Sequence, residues 1–102
     1  MAVQDLTQPS AVLQAVADFD NLGRSAFLAL YGFGVSTKFF LVHENNCYDT
    51  KAIVGKARAY QFPEREPLRS GDFSGGLGPG QAAAVLGRLG FDVVEKLDRN
   101  SV

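Results

Sequence analysis

The feature that most constrains the fold is an aromatic and β-branched run at residues 36–43. This composition is typical of a β-strand, and the polar residues 44–46 that follow it favour a short turn with positive φ. Cys47 and Tyr48 would then begin a return strand. The segment therefore predicts a β-hairpin near the middle of the chain.

The predicted strand contains four consecutive apolar residues, whose side chains alternate between the two faces of a sheet. Phe39 and Leu41 would share one face. Phe40 and Val42 would share the opposite face. Because such a run does not fit a sheet with one open face, we expect helices to cover one pair. The loop at 62–80, which contains Pro and Gly, would partly cover the other.

Four segments have the pattern of a helix, and a final apolar segment reads as a strand. The predicted helices are 10–19 with Ser10 as N-cap, 22–30 with Asn21 as N-cap, 51–61 capped by Asp49 or Thr50, and 81–89; the last strand is 91–94. Gly32 suits the left-handed residue at a helix C-terminus, and Gly90 closes the last helix. This order predicts an α+β fold, in which a small antiparallel or mixed sheet packs against about four helices. The hairpin and the C-terminal strand would form that sheet.

The chain has 102 residues, which is the size of one domain with one hydrophobic core. We place this domain at residues 10–97, between an N-terminal arm at 1–9 and a C-terminal tail at 98–102. The sequence shows neither a secretory leader nor an apolar stretch of the ~20 residues that a membrane-spanning helix needs. We therefore expect a cytoplasmic protein without membrane contact.

Charge and composition exclude several classes of function. Ten Lys and Arg residues against eleven Asp and Glu residues exclude a histone-like mode of binding DNA by bulk charge. Cys47 and His43 are the single cysteine and histidine, so we expect no disulfide, metal site or cofactor. The glycine-rich stretch at 75–80 lacks both the Gly-Lys-Ser/Thr ending and the preceding strand of a phosphate loop. A thiol enzyme built on Cys47 would need an exposed and activated thiol.

The third predicted helix carries the most informative charge pattern. At about 100° per residue, Lys51, Gly55 and Arg58 share one face. A glycine between two cations leaves a shallow place where a phosphate backbone can approach the helix. The alternative is a solvated basic face on an amphipathic helix. The residues that would extend the basic surface are Lys56, Lys38, Arg65 and Arg69.

Five sequence blocks, taken in order, resemble a known family. They are Phe-Leu-Ala-Leu-Tyr-Gly-Phe-Gly at 27–34, Leu-Val-His at 41–43, Tyr-Asp-Thr-Lys-Ala-Ile-Val-Gly-Lys-Ala at 48–57, Asp-Phe-Ser-Gly-Gly at 72–76 and Leu-Gly-Arg-Leu-Gly-Phe at 86–91. Together they are similar to the N-terminal head domain of McrA-like HNH endonucleases, the type IV restriction enzymes that attack modified DNA. The resemblance covers residues 10–95.

The resemblance implies that other domains of such an enzyme read the modification and cut the DNA, since one histidine does not supply an HNH centre. We therefore expect a non-catalytic accessory module that contacts the backbone of double-stranded DNA. Its further partners would be neighbouring domains of a larger endonuclease, and formation of a homo-oligomer stays open. The alternative is a protein-interaction module with an exposed apolar patch around Tyr31, Phe33 and Phe62.

Overall fold

The computed structural model describes residues 5–34, 38–65, 73 and 81–95. Its elements, in chain order, are α1 (Pro9–Leu22), α2 (Arg24–Tyr31), β1 (Phe39–His43), β2 (Asn46–Asp49), α3 (Thr50–Gln61), α4 (Ala82–Arg88) and β3 (Asp92–Glu95). Helices and a small three-stranded antiparallel sheet confirm the predicted α+β fold. None of the helices in these ranges is long and apolar enough to span a bilayer.

The sheet has the strand order β2-β1-β3, with β1 in the centre and both neighbours antiparallel to it. The predicted hairpin is confirmed, and its turn consists of Glu44 and Asn45, with φ values of 50° and 69°. Two positive φ values in a two-residue turn match the right-handed twist of the paired strands. Asn46 already belongs to β2, where it pairs with His43.

The predicted alternation along β1 separates a core face from an outer face. Leu41 is buried in the main core together with its cross-strand partner Tyr48, and its other partner, Val93, is partly buried against the same core. Phe40 and Val42 point to the opposite face, where Phe40 is nevertheless buried. The loop that we expected to cover this face lies mostly outside the described residues.

The junction between the first two helices differs from the prediction. α1 begins at Pro9, after Gln8 in the N-cap position, because the fixed φ of proline suits the first turn of a helix. The helix continues through Leu22 and ends at Gly23, whose φ of 85° interrupts the helical path. Ser10 and Asn21 therefore lie inside α1 and do not cap helices.

α3 is the central helix of the domain. It packs mainly against α1 and also contacts α2, α4 and the sheet. Its buried residues are Thr50, Ala52, Ile53, Val54, Gly55, Ala57 and Arg58. They point in most directions around the helix axis, so α3 is enclosed on nearly every side. This position differs from that of an amphipathic helix with one solvated face.

Packing also extends into the segment that we assigned to an arm. Leu6 is completely buried in the core. The Gln61 side chain accepts hydrogen bonds from the backbone N–H groups of Thr7 and Gln8, and its Nε2 donates to the Asp5 carbonyl oxygen. Residues 5–8 are thus joined to the C-terminal end of α3. Residues 1–4 and the predicted tail lie outside the described ranges.

Candidate nucleic-acid interface

Gly55 does not form the shallow open place that we predicted for a phosphate backbone. The Phe33 ring lies against it, and a Cβ built on Gly55 would come within 2.5 Å of Phe33 Cζ. Both residues are buried. Gly55 thus serves close packing between the helix backbone and an aromatic ring, and the prediction of an accessible groove here is wrong.

Arg58 also differs from the prediction, because only 1% of it is exposed. Its guanidinium lies 3.9 Å from the Asp5 carboxylate and 5.4 Å from the centre of the Phe62 ring. A long aliphatic stem lets arginine cross a packed layer, while nearby groups stabilise its charge. The solvent-exposed basic face of Lys51, Gly55 and Arg58 is therefore not present.

Lys51 and Lys56 are the α3 cations that remain partly accessible. The Lys56 ammonium lies 4.5 Å from the Tyr31 ring centre and 4.8 Å from that of Tyr60. Lys51 lies 5.4 Å from the centre of the Phe73 ring, which itself contacts Phe33 edge to face. The aromatic rings attract both ammonium groups without neutralising their charge. We call Lys51, Lys56, Tyr31 and Phe73 the lysine–aromatic surface.

Lys38, another cation of the predicted set, does not join this surface. Lys38 precedes β1, its side chain is 63% exposed, and its ammonium lies 3.6 Å from Glu95 of β3. It also lies 5.4 Å from the centre of its neighbour Phe39. Arg69 falls outside the described residues. Among the described candidates, Lys51 and Lys56 thus each lie over aromatic rings beside α3, whereas Lys38 lies at the sheet.

The N-terminal end of α3 contains an ion pair that the sequence analysis missed. The Asp49 carboxylate accepts hydrogen bonds from Arg24 Nε and Nη2, at 2.8 and 2.7 Å. These bonds raise the pKa of the Arg24 guanidinium. Of the two predicted caps, Asp49 and Thr50, it is Asp49 that occupies the N-cap position, where it makes no side-chain cap bond. The only signal in the sequence was a carboxylate at a strand–helix junction, which did not identify Arg24 as its partner.

A second cluster at the other end of α3 was also missed. Asp5 lies 3.2 Å from Arg65 Nη1, in addition to its contact with Arg58. The guanidinium carbon of Arg65 lies 4.2 Å from the centre of the Phe62 ring. We call Asp5, Arg58, Phe62 and Arg65 the arginine cluster. The separation of 60 residues between Asp5 and Arg65 gave no local signal for it.

Two tyrosines tie α1 to the segments at the two ends of α3. Tyr48 donates a hydrogen bond to Asp20 at 2.8 Å, and Tyr60 donates one to Asp18. Burial, followed by the bond to Asp20, raises the pKa of Tyr48 to about 12. The bond to Asp18, followed by burial, raises the pKa of Tyr60 to about 12. Both phenols therefore stay protonated and act as donors at neutral pH.

His43 and Cys47 do not assemble into a recognisable reaction centre. Cys47 is exposed on β2 in register with Val42, whereas His43 lies 3.9 Å from Glu44 and against the Phe91 ring. An open groove of about 390 Å³ runs beside His43 between the hairpin turn and the start of β3. In the described ranges, no three His, Cys, Asp or Glu side chains are grouped to hold a metal ion.

The exposed apolar patch of the alternative function is not present either. Phe33 is buried against Gly55, and the rings of Tyr31 and Phe62 are only half-buried beneath Lys56 and Arg65. What was predicted as an apolar surface is therefore aromatic surface combined with cations.

Comparison with known proteins agrees with the resemblance carried by the five sequence blocks. The family model described as "ScoMcrA-like, N-terminal head domain" matches residues 4–95. The solved structure of the type IV phosphorothioation-dependent restriction endonuclease ScoMcrA is 36% identical and superposes with a TM-score of 0.58. This match covers 83% of the present chain and 12% of the ScoMcrA chain. No curated protein matches the chain significantly.

Proposed function

This chain belongs to the family of ScoMcrA-like N-terminal head domains, and on that premise we propose that it is a DNA-contacting accessory module of a type IV restriction endonuclease. The similar ScoMcrA chain is about eight times longer than the matched region, as its 12% coverage indicates. Strand cleavage and recognition of the modification would then belong to other domains. Such a module would act on DNA in the cytoplasm.

The observation that carries the proposal is the environment of the Lys56 ammonium. The ammonium lies over two tyrosine rings, and within the part of the chain that the structure describes no carboxylate oxygen lies within 4 Å of it. A positive charge held in this way can still accept a phosphate as its counterion. The surrounding side chains restrict the ammonium, so less conformational entropy is lost when it binds.

Lys51 extends the same surface towards the N-terminal end of α3. By the ideal helical period, Gly55 lies between the two lysines, about 40° from Lys51 and about 100° from Lys56. Phe33 fills the space over Gly55 and contacts Phe73, over which Lys51 lies. Phosphates would therefore meet two cations beside an aromatic surface rather than a groove in the helix.

A non-catalytic role fits the residue inventory of the chain. The whole sequence contains one histidine and one cysteine, which does not provide the side chains of an HNH centre. Phosphate contacts by lysine ammonium groups position a protein on DNA but do not read base sequence. The module would therefore hold the enzyme on the duplex, while specificity resides elsewhere.

Duplex affinity measured by fluorescence anisotropy at two or more salt concentrations tests this function. The Lys51→Ala/Lys56→Ala variant should bind more weakly, and its log–log salt slope should fall by about 0.9 for each lost phosphate contact. Plain and phosphorothioate duplexes of one sequence should lose affinity alike. Lys38→Ala is the matched control, because it removes the same charge next to the sheet, where Glu95 already pairs with it.

Circular dichroism should show that the double variant is folded. If it then binds the duplex with the affinity and salt slope of the wild type, the lysine–aromatic surface does not contact DNA. If only Lys38→Ala loses affinity for the duplex, the DNA interface lies at the sheet.

A further inference from the structure

We infer that the arginine cluster is a binding site for a phosphate group, and that the Asp5 carboxylate occupies this site in the present structure. Asp5 Oδ2 lies 3.2 Å from Arg65 Nη1 and 3.9 Å from Arg58 Nη2. One anionic oxygen thus faces two guanidinium groups. Guanidinium donors bind carboxylate and phosphate oxygens with the same geometry, so either anion suits the position.

The two arginines are held in place by the fold. Both guanidinium groups lie against the Phe62 ring, at 5.4 Å for Arg58 and 4.2 Å for Arg65. Arg58 is 1% exposed, and a guanidinium buried to this degree requires nearby groups that stabilise its charge. Two positively charged guanidinium groups face one position, and this favours an anion there.

The Asp5 carboxylate is held less firmly than the backbone that carries it. Its side chain is 48% exposed, and 3.9 Å to Arg58 is longer than an N–H···O hydrogen bond. The backbone around it is fixed by Gln61 and by Arg88 Nη2, which donates to the Leu6 carbonyl oxygen at 2.7 Å. The carboxylate can therefore rotate away while Leu6 stays in the core, and a phosphate can take its place.

We assign the phosphate bound by the arginine cluster to the DNA backbone, and this assignment rests on the proposed function. By the ideal helical period Arg58 lies about 20° from Lys51 around the axis of α3, so the arginine cluster lies on the same side of the helix as the Lys51 part of the lysine–aromatic surface. Asp5 would then be an internal competitor that weakens binding until a duplex displaces it. A competitor of this kind favours long phosphate polymers, which engage several cations at once, over free phosphate.

Thermal unfolding in phosphate and in chloride at matched ionic strength tests the site without DNA. Asp5→Asn removes the competing charge, so phosphate should raise the melting temperature of this variant by about 4 °C or more relative to chloride. The wild type should respond less, and Asp5→Asn/Arg65→Ala should not respond. Glu64→Gln is the matched control, because it removes the same charge from an exposed neighbour of Arg65.

Equal responses of Asp5→Asn and Glu64→Gln to phosphate would overturn the inference. If Asp5→Asn unfolds in chloride, its refolding in phosphate supports the site, and failure to refold in phosphate contradicts it. Anisotropy with a DNA duplex identifies the source, since Asp5→Asn should bind it about two to five times more tightly. If inorganic phosphate stabilises Asp5→Asn but the variant binds the duplex with unchanged affinity, the site binds free phosphate. The proposed function itself is judged separately, by the Lys51→Ala/Lys56→Ala variant.

Discussion

The two ends of α3 each bury one charge beside a half-exposed partner of opposite sign, yet the two pairs are built differently. At the N-terminal end, the buried Asp49 accepts two short hydrogen bonds from one guanidinium, that of Arg24. At the C-terminal end, the buried Arg58 lies 3.9 Å from Asp5, and Arg65 shares the same carboxylate. Both buried charges have the sign that the helix dipole favours at their end.

The difference in geometry indicates a difference in role. A bidentate pair with fixed donors has little freedom, so Arg24 and Asp49 join α2 to the junction of β2 and α3. The looser pair leaves its carboxylate exchangeable, which is the property that an anion-binding site needs. The tight end of α3 is therefore structural, and the loose end is where binding of a phosphate would occur.

Removing the partner of each buried charge should change the free energy of unfolding most, and the change should differ strongly between the two ends of α3. Arg24→Ala leaves Asp49 buried without its bidentate partner and should lower the free energy of unfolding by about 3 kcal/mol. Asp5→Ala removes a half-exposed carboxylate at 3.9 Å and should cost about 1 kcal/mol or less. Urea unfolding of the two variants measures both changes.

Equal losses would show that the two pairs contribute alike and would remove the structural basis for an exchangeable site. Added phosphate should compensate the loss in Asp5→Ala and not that in Arg24→Ala, because an anion cannot replace a guanidinium. This contrast keeps the comparison measurable even if the absolute losses are smaller than expected.

Local sequence signals predicted most of the fold. The apolar run in β1, the polar turn residues and the glycines at helix ends act within a few residues, so hairpin and helices appeared near their observed positions. The α1–α2 break was misplaced because Gly23 was not recognised as the interruption. Its positive φ decides the boundary, and this is a property of the folded backbone.

The candidate site was less predictable, because exposure depends on what packs against a helix. A helical wheel placed Lys51, Gly55 and Arg58 on one face correctly. It contained no information about Phe33, which covers Gly55, or about residues 5–8, which join the C-terminal end of α3. Contacts between residues this far apart in sequence arise only from the tertiary arrangement. The sequence therefore did not reveal that Arg58 is buried.

The middle of α3 should be less sensitive to substitution than its tight N-terminal end and more sensitive than its loose C-terminal end. In Gly55→Leu the new side chain meets the Phe33 ring, since even a Cβ would lie 2.5 Å from Phe33 Cζ. Overpacking of this kind should cost about 2 kcal/mol in urea unfolding. Gly87→Ala is the control, because a Cβ on this α4 residue meets nothing within 4 Å and should add about 0.5 kcal/mol. A Gly55→Leu variant as stable as the wild type would mean that Phe33 moves aside freely.

The smallest expected effect is a pH dependence of stability that comes from Tyr48 and Tyr60, the tyrosines that hold α1 at the two ends of α3. This dependence distinguishes the tyrosine hydrogen bonds from the ion pairs. The pKa of Tyr48 and of Tyr60 is raised from 10.0 to about 12 in the folded protein. Between pH 10 and 12 the unfolded chain therefore releases these protons first, so the free energy of unfolding falls as the pH rises, and the contribution is complete below pH 10. Tyr48→Phe and Tyr60→Phe should each cost about 1 kcal/mol at neutral pH, and together they should flatten this decline. Urea unfolding across the alkaline range measures the slope, and a double variant that keeps the wild-type slope would show that other groups cause it.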